Sequence, residues 1–206
     1  MRYIQVAPSG ALNGSVVIPG SKNSSLALLA AACLADDVVR LEGIPALDDL
    51  KLITGIAQDI GLRFEYEPNG TAILDPRYIH GATIDPGKAS AYRASYYFAG
   101  ALLAKFGRVT LGYPGGDDFK SRPIDQHVKA FQALGAKVTF HEDFYTVEAT
   151  ELIGADIYFD TITCGATINS ILAAARAKGK TTLYNAALDP EVVDVVTLLN
   201  QMGARI

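Results

Sequence analysis

The chain has 206 residues, half of them apolar and 19% charged, with a mean hydropathy of +0.19. Such a composition excludes a disordered segment and fits one large domain or two small ones. The formal net charge of −4 offers no global basic field for coating nucleic acid, and two cysteines, Cys33 and Cys164, exclude a disulfide scaffold or a cysteine-rich zinc site. The start, Met1 to Gln5, lacks a signal-peptide pattern, and the apolar run Leu26–Ala35 is too short to span a bilayer. A cytoplasmic protein is expected.

The predicted elements repeat. Copy one reads as strand Ser15–Ile18, helix Ser24–Ala35, strand Val38–Leu41, then an amphipathic helix through Leu50 ending at Ile60-Gly61. A hairpin follows, Arg63–Glu67 and Thr71–Leu74, around the turn signal Pro68-Asn69-Gly70. Copy two reads as strand Ala82–Ile84, helix Ala94–Phe106, strand Arg108–Leu111, a helix from His127 to Leu134-Gly135, and hairpin strands Lys137–His141 and Tyr145–Ala149. Copy three reads as strand Ile157–Phe159, helix Thr167–Ala177, strand Thr181–Tyr184 and a helix ending at Met202-Gly203. The unit is βαβαββ, recurring about every 70 residues, with Gly61, Gly135 and Gly203 as left-handed helix ends. The third copy stops at Ile206 within its first hairpin strand, so a chain that continues is expected.

The first helix of each copy is apolar nearly all round and must be buried on all sides. The glycine-ended helices are amphipathic, with Asp48, Asp49 and Lys51, or Gln126, Lys129 and Gln132, read as facing out. The predicted fold is therefore an inside-out α/β barrel: three βαβαββ repeats, buried parallel helices within, sheets outside. The helix N-termini then gather at one end, where their dipoles and free N–H groups favour an anion.

The helix entrances are Gly20-Ser21-Lys22-Asn23-Ser24, Lys88-Ala89-Ser90-Ala91-Tyr92-Arg93-Ala94-Ser95, and Thr161-Ile162-Thr163-Cys164-Gly165-Ala166-Thr167. Ser24, Ser95 and Thr167 read as ordinary N-caps. Lys22 and Arg93 oppose the dipole, a cost that a bound phosphate or carboxylate would offset. The second copy carries an inserted loop, Gly112 to Asp125, with acids, cations and aromatics, readable either as a catalytic loop or as a solvated tip. His80, His127 and His141 have no metal-ligand spacing; no metal and no cofactor are expected.

At these residues the chain resembles the UDP-N-acetylglucosamine 1-carboxyvinyltransferase (enolpyruvyl transferase) family. The matching stretches are Pro19-Gly20-Ser21-Lys22-Asn23, Tyr92-Arg93-Ala94-Ser95, Pro114-Gly115-Gly116, Arg122-Pro123-Ile124-Asp125-Gln126-His127, Gly165-Ala166-Thr167 and Asn185-Ala186-Ala187 with Asp189-Pro190-Glu191-Val192-Val193-Asp194. The resemblance spans the chain, about half of a full-length member. It implies transfer of the enolpyruvyl group of phosphoenolpyruvate to the 3-hydroxyl of UDP-N-acetylglucosamine, opening peptidoglycan synthesis. It implies that Lys22 contacts phosphoenolpyruvate, Asn23 lies near the sugar and Arg93 faces substrate phosphates. Arg122, Pro123, Ile124, Asp125 and Gln126 match the uridine-binding stretch. Thr161, Ile162, Thr163 and Cys164 match the segment touching the diphosphate, with Thr161 standing where the family has lysine. Tyr97 replaces a large aromatic of the sugar site. Asp117 stands where most members carry a cysteine acting as general acid. An aspartic acid of raised pKa can supply the same proton, and a carboxylate is a poor nucleophile toward an epoxide, so resistance to fosfomycin is expected. Cys164, at a helix start, is expected to be open to activation.

The family's general base and a further arginine lie in a second domain outside this chain, so the 206 residues alone are expected to bind UDP-sugar weakly and turn nothing over. The shikimate-pathway 3-phosphoshikimate enolpyruvyl transferase is the runner-up. A non-catalytic UDP-sugar-binding paralogue and a purely structural domain are the readings from other classes. Residues 21–206 form one domain of three copies (about 15–75, 81–149 and 155–206). Repeat logic gives Ser15–Ile18 to copy one, whereas the family's architecture gives residues 1–20 to the partner domain; both stay open.

Overall fold

A computed structural model of the chain describes residues 3–115 and 123–206. In chain order the elements are α1 (Lys22–Ala32), β1 (Val39–Leu41), α2 (Asp48–Asp59), β2 (Arg63–Tyr66), β3 (Ala72–Asp75), β4 (Thr83–Ile84), α3 (Pro86–Ala91), α4 (Tyr97–Phe106), β5 (Arg108–Gly112), α5 (Asp125–Ala133), β6 (Lys137–Phe140), β7 (Phe144–Glu148), β8 (Asp156–Tyr158), α6 (Cys164–Ala174), β9 (Thr182–Tyr184) and α7 (Pro190–Gln201). Short 3-10 turns cover Pro76–Tyr78 and Arg93–Tyr96.

The repeat is visible in hydrogen bonds. Gly61, Gly135 and Gly203 have φ of 102°, 92° and 104°, values open to glycine at little cost. In each copy the next residue donates its N–H five residues back: Leu62 to Ala57, Ala136 to Phe131, Ala204 to Leu199. This bond satisfies a carbonyl left orphaned at the helix end and turns the chain toward the following strand or chain segment.

Among the described residues three sheets flank the helices, in strand orders β1-β3-β2, β4-β5-β7-β6 and β8-β9. The first strand of the unit pairs parallel with the strand after the buried helix in two copies, β4 with β5 and β8 with β9. The hairpin then adds antiparallel, β3 on β1 and β7 on β5. Copy one differs. Ser15–Ile18, read as its opening strand, pairs with nothing among the described residues; Val16, Val17 and Ile18 are each more than four-fifths exposed. Those three apolar side chains find no face to cover here, which is why the expected strand does not form.

The buried helices are α1, α4 and α6. Leu29, Ala30 and Ala31 of α1, Phe98, Leu102 and Leu103 of α4, and Ile168, Leu172 and Ala173 of α6 are buried. α4 packs against both α1 and α6 and against β5 and β7, so helices form the interior and sheets the outside. Alanine and glycine allow the close approach: a Cβ on Gly100 of α4 would lie 2.3 Å from the Asn169 carbonyl oxygen of α6. The three helices run the same way, because their ends meet. At the C-terminal end Lys105 of α4 donates to the carbonyls of Cys33 and Ala35, both at 3.0 Å, and Arg176 donates to that of Leu34 at 2.6 Å. Cations thus sit at the negative ends of the dipoles. Among the described residues no helix is long and apolar enough to cross a membrane.

The predicted helix starts need correction. Ser24, Ser95 and Thr167 are not N-caps. α1 begins two residues before Ser24, with Ser21 as the cap accepting from the Ser24 N–H at 3.3 Å. α4 is preceded by the Arg93–Tyr96 turn, and α6 begins three residues before Thr167. The Ser95 and Thr167 hydroxyls therefore fall inside helical turns and donate to backbone carbonyls, of Ala89 at 3.2 Å and Thr163 at 2.8 Å. A further helix that the repeat pattern does not predict, α3, has Asp85 as cap and Pro86 at its first position.

Candidate anion site at the helix starts

Ser21 caps α1 in an extended conformation, so Lys22 and Asn23 become the first helical residues and stay exposed at its tip. Lys22 Nζ lies 3.1 Å from Asp49 Oδ2 in the first turn of α2. Asn23 Nδ2 donates to Glu191 Oε1, in the first turn of α7, at 3.3 Å. One helix tip is thereby tied to two others.

The approach to α4 is a chain of aromatic rings. Tyr92 is extended, and its hydroxyl lies beside the Asp49 carboxylate; burial first, then that charge, raises the phenol above its ordinary value. Arg93 stands over the Tyr96 ring, 5.1 Å from its centre, a cation–π arrangement. Tyr96 meets Tyr97 edge-on at 4.6 Å and His127 edge-on at 5.0 Å. The Tyr96 hydroxyl also presses on the start of α6, where a Cβ on Gly165 would lie 2.7 Å from it. Tyr97, the residue placed in the sugar site, is buried beside Cys164 and Glu191.

α6 opens from Thr163 with no side-chain cap over its first-turn N–H groups. Thr161 and Ile162 are exposed just before it. The Cys164 thiol behaves opposite to expectation. Burial, then the carboxylates of Glu191 and Asp189, push it up to about 12, so these outweigh the helix start and keep the thiol protonated.

α5 brings the candidate uridine stretch to the same place. Pro123 and Asp125 are exposed and Ile124 half-buried at its start. Gln126, read as outward-facing, is buried. Its amide oxygen accepts from the Asp160 N–H at 2.9 Å and its nitrogen donates to the Asp160 carboxylate at 3.1 Å, which draws it inward. Lys129 completes the clasp, 2.7 Å from the same carboxylate. Asp160 directly precedes Thr161–Cys164, so the two stretches are latched side by side. His127 behind them is buried and held neutral, its pKa near 4, by desolvation and then by Arg93.

The structure thus gathers Lys22, Asn23, Arg93, Tyr97, Gln126, Thr163 and Cys164 around the starts of α1, α4, α5 and α6. Asp117 and Arg122 lie outside the described residues. Tyr92 and Glu191 stand in the matching stretches without a role, and the sequence assigns none to Asp49 or Asn169. Asp49 looked like one more solvated acid, but Asn169 carried a signal: a buried amide inside an otherwise apolar helix. A cavity of about 580 Å³ opens at the opposite pole, between Leu34, Asp36, Arg176 and Met202. It faces the helix C-termini, where the dipole disfavours anions.

The fold is an inside-out α/β barrel whose buried helices begin around Lys22 and Arg93. The chain belongs to the EPSP synthase (3-phosphoshikimate 1-carboxyvinyltransferase) family, which it matches over residues 6–206. It is 44% identical over 206 residues to a UDP-N-acetylglucosamine 1-carboxyvinyltransferase 2 of Bacillus anthracis, covering 100% of this chain and 48% of that protein. It is 46% identical over 208 residues to a UDP-N-acetylglucosamine 1-carboxyvinyltransferase 1 of Streptococcus agalactiae, covering 100% of this chain and 49% of that protein. The chain therefore spans about half the length of these relatives. Among solved structures, the enolpyruvyl transferase NikO from Streptomyces tendae superposes with a TM-score of 0.82 at 25% identity, over 95% of this chain and 46% of that one. An EPSP synthase from Acinetobacter baumannii shares the fold, with a TM-score of 0.67 at 15% identity over 87% of this chain and 42% of that one.

Proposed function

We propose that the protein transfers the enolpyruvyl group of phosphoenolpyruvate to the 3-hydroxyl of UDP-N-acetylglucosamine, in the cytoplasm, as the first committed step of peptidoglycan synthesis. The observation that carries this reading is the shared location of Lys22, Arg93 and the latched Gln126–Asp160 stretch at four helix starts, in a chain whose 44–46% identical relatives bear that activity in their names.

The reaction is an addition followed by an elimination. The sugar hydroxyl loses its proton and attacks C2 of phosphoenolpyruvate while C3 gains a proton, giving a tetrahedral ketal. C3 then loses a proton as phosphate leaves. Lys22, Arg93 and Arg122 stabilise phosphate and carboxylate charge, with the helix starts adding fixed positive potential. Asp117 supplies the proton to C3. Pro123 to Gln126 receive the uridine, Thr161 to Cys164 the diphosphate, and Asn23 with Tyr97 the sugar. A second domain of the same protein contributes the general base, and residues 1–20 pack on that domain; the exposed Tyr3, Ile4, Val6, Leu12 and Val16–Ile18 fit such a destination.

The test is phosphate release by the intact protein. Release is expected only when phosphoenolpyruvate and UDP-N-acetylglucosamine are both present, with activity surviving fosfomycin. Release with shikimate 3-phosphate instead would move the assignment to the sister reaction. Tight UDP-sugar binding without release would make the protein a sensor.

A further inference from the structure

We propose that Asp49 is a positioning residue, tying Lys22 to the Tyr92–Arg93 entrance and so fixing the spacing of the two cations that meet the anionic substrates. The inference rests on the reading of this face as the substrate site.

A carboxylate is misplaced at a site for anions. It would repel an approaching phosphate, and it costs affinity unless it does something else. Helix capping does not explain it, because Leu47 occupies the cap position of α2 without a side-chain bond. Dipole complementation does not explain it either, because Asp48 in the same turn supplies that charge. The two neighbours are used differently. Asp48 is 94% exposed and pairs locally with Lys51 at 2.9 Å. Asp49 is 34% exposed and reaches out of its own helix to Lys22 at 3.1 Å on α1. The Tyr92 hydroxyl, from the second repeat, lies beside the same carboxylate. Tyr92 sits in extended backbone between α3 and the Arg93–Tyr96 turn. Asp49 thus joins two repeats at the residue before Arg93. The Lys22 ammonium has three donors, so one given to Asp49 leaves two for ligand oxygens in a fixed direction. Preorganisation of this kind raises rate rather than ground-state affinity alone.

The experiment compares Asp49→Asn, Asp49→Glu and Asp48→Asn in the intact protein. Asp48→Asn removes the same helix-start charge without touching Lys22. Two readouts are taken. In the transfer assay, Asp49→Asn is expected to lower kcat/KM for phosphoenolpyruvate by about ten-fold or more, with a smaller change in KM for the nucleotide sugar. Asp49→Glu recovers part of the loss and Asp48→Asn stays within about two-fold of the parent. In amine acylation read by peptide mass spectrometry, Lys22 is expected to react several-fold faster in Asp49→Asn than in the parent, relative to Lys137. Asp48→Asn again matches the parent. If Asp49→Asn behaves as Asp48→Asn in both readouts, the proposal is overturned. If the parent transfers nothing, the functional reading fails by itself, and the Lys22 acylation rates alone decide whether Asp49 holds the lysine.

Discussion

Replacing Asn169 by alanine removes the most economical polar joint in the core. Its side-chain oxygen accepts the Gly100 N–H at 2.7 Å, and its nitrogen donates to the Tyr96 carbonyl at 2.9 Å. Gly100 and Tyr96 are four apart, the pair that an α-helix would join directly. The amide of α6 therefore bridges both ends of one helical bond of α4, where the 3-10 turn becomes α-helix, and its nitrogen lies 3.1 Å from His127 Nδ1. Because the oxygen is fixed by an N–H donor, the nitrogen must face His127, whose Nδ1 is then the acceptor and Nε2 carries the proton. Asn169 is wholly buried. Truncation orphans up to three buried groups at roughly 1–3 kcal/mol each and leaves a small void, and since neighbouring losses do not add, the expected cost is about 3–5 kcal/mol. Urea unfolding followed by circular dichroism reads it as a lower midpoint with unchanged slope. A loss below about 1 kcal/mol would refute the joint, because it would mean that the helix closes its own bond at no cost.

Stability should also fall in mild acid through His127. Its folded pKa, near 4, lies below the unfolded value of 6.5, so the unfolded chain binds more protons between them. The contribution is complete above pH 6.5 and is lost as pH falls toward 4, at most about 3 kcal/mol. Unfolding free energies of the parent and His127→Gln are expected to converge over that window; parallel curves would count against a buried neutral ring. The Cys164 thiol, raised to about 12, should alkylate with iodoacetamide at pH 8 far more slowly than glutathione, and Glu191→Gln should speed it. Equal rates for Cys164 and glutathione would show that the helix start prevails over burial and the two carboxylates.

The repeat, the all-round apolar helices and the three glycine ends were legible because each follows from periodicity and from the left-handed φ that glycine tolerates. Helix starts were legible only to within two or three residues. Serine and threonine read as caps from residue type, but α1 already caps on Ser21, the Ser24 hydroxyl is buried without a partner, and Ser95 and Thr167 donate back to the carbonyls of Ala89 and Thr163. The gathering of Lys22, Arg93 and Thr163 followed from placing like helices alike. The residues that hold them were hidden, because Asp49, Gln126 and Asn169 act on partners in other copies or on distant backbone. Gln126 reads as a surface residue by helical spacing and is buried by a strand end 34 positions away. Local physics puts the opposite sign on Cys164: a helix start alone lowers a thiol pKa, whereas burial, and then the two carboxylates that the neighbouring α7 brings, raise it, and a one-dimensional reading places neither there.

The central claim is that the ligand end of this domain is the pole where the buried helices begin. Amide chemical shifts recorded while UDP-N-acetylglucosamine is titrated into the isotopically labelled protein test it most directly. The account expects the largest changes at Asn23, Tyr97, Gln126 and Thr163, saturating together. Changes confined to Ala35, Arg176 and Met202, around the cavity at the opposite pole, would contradict it.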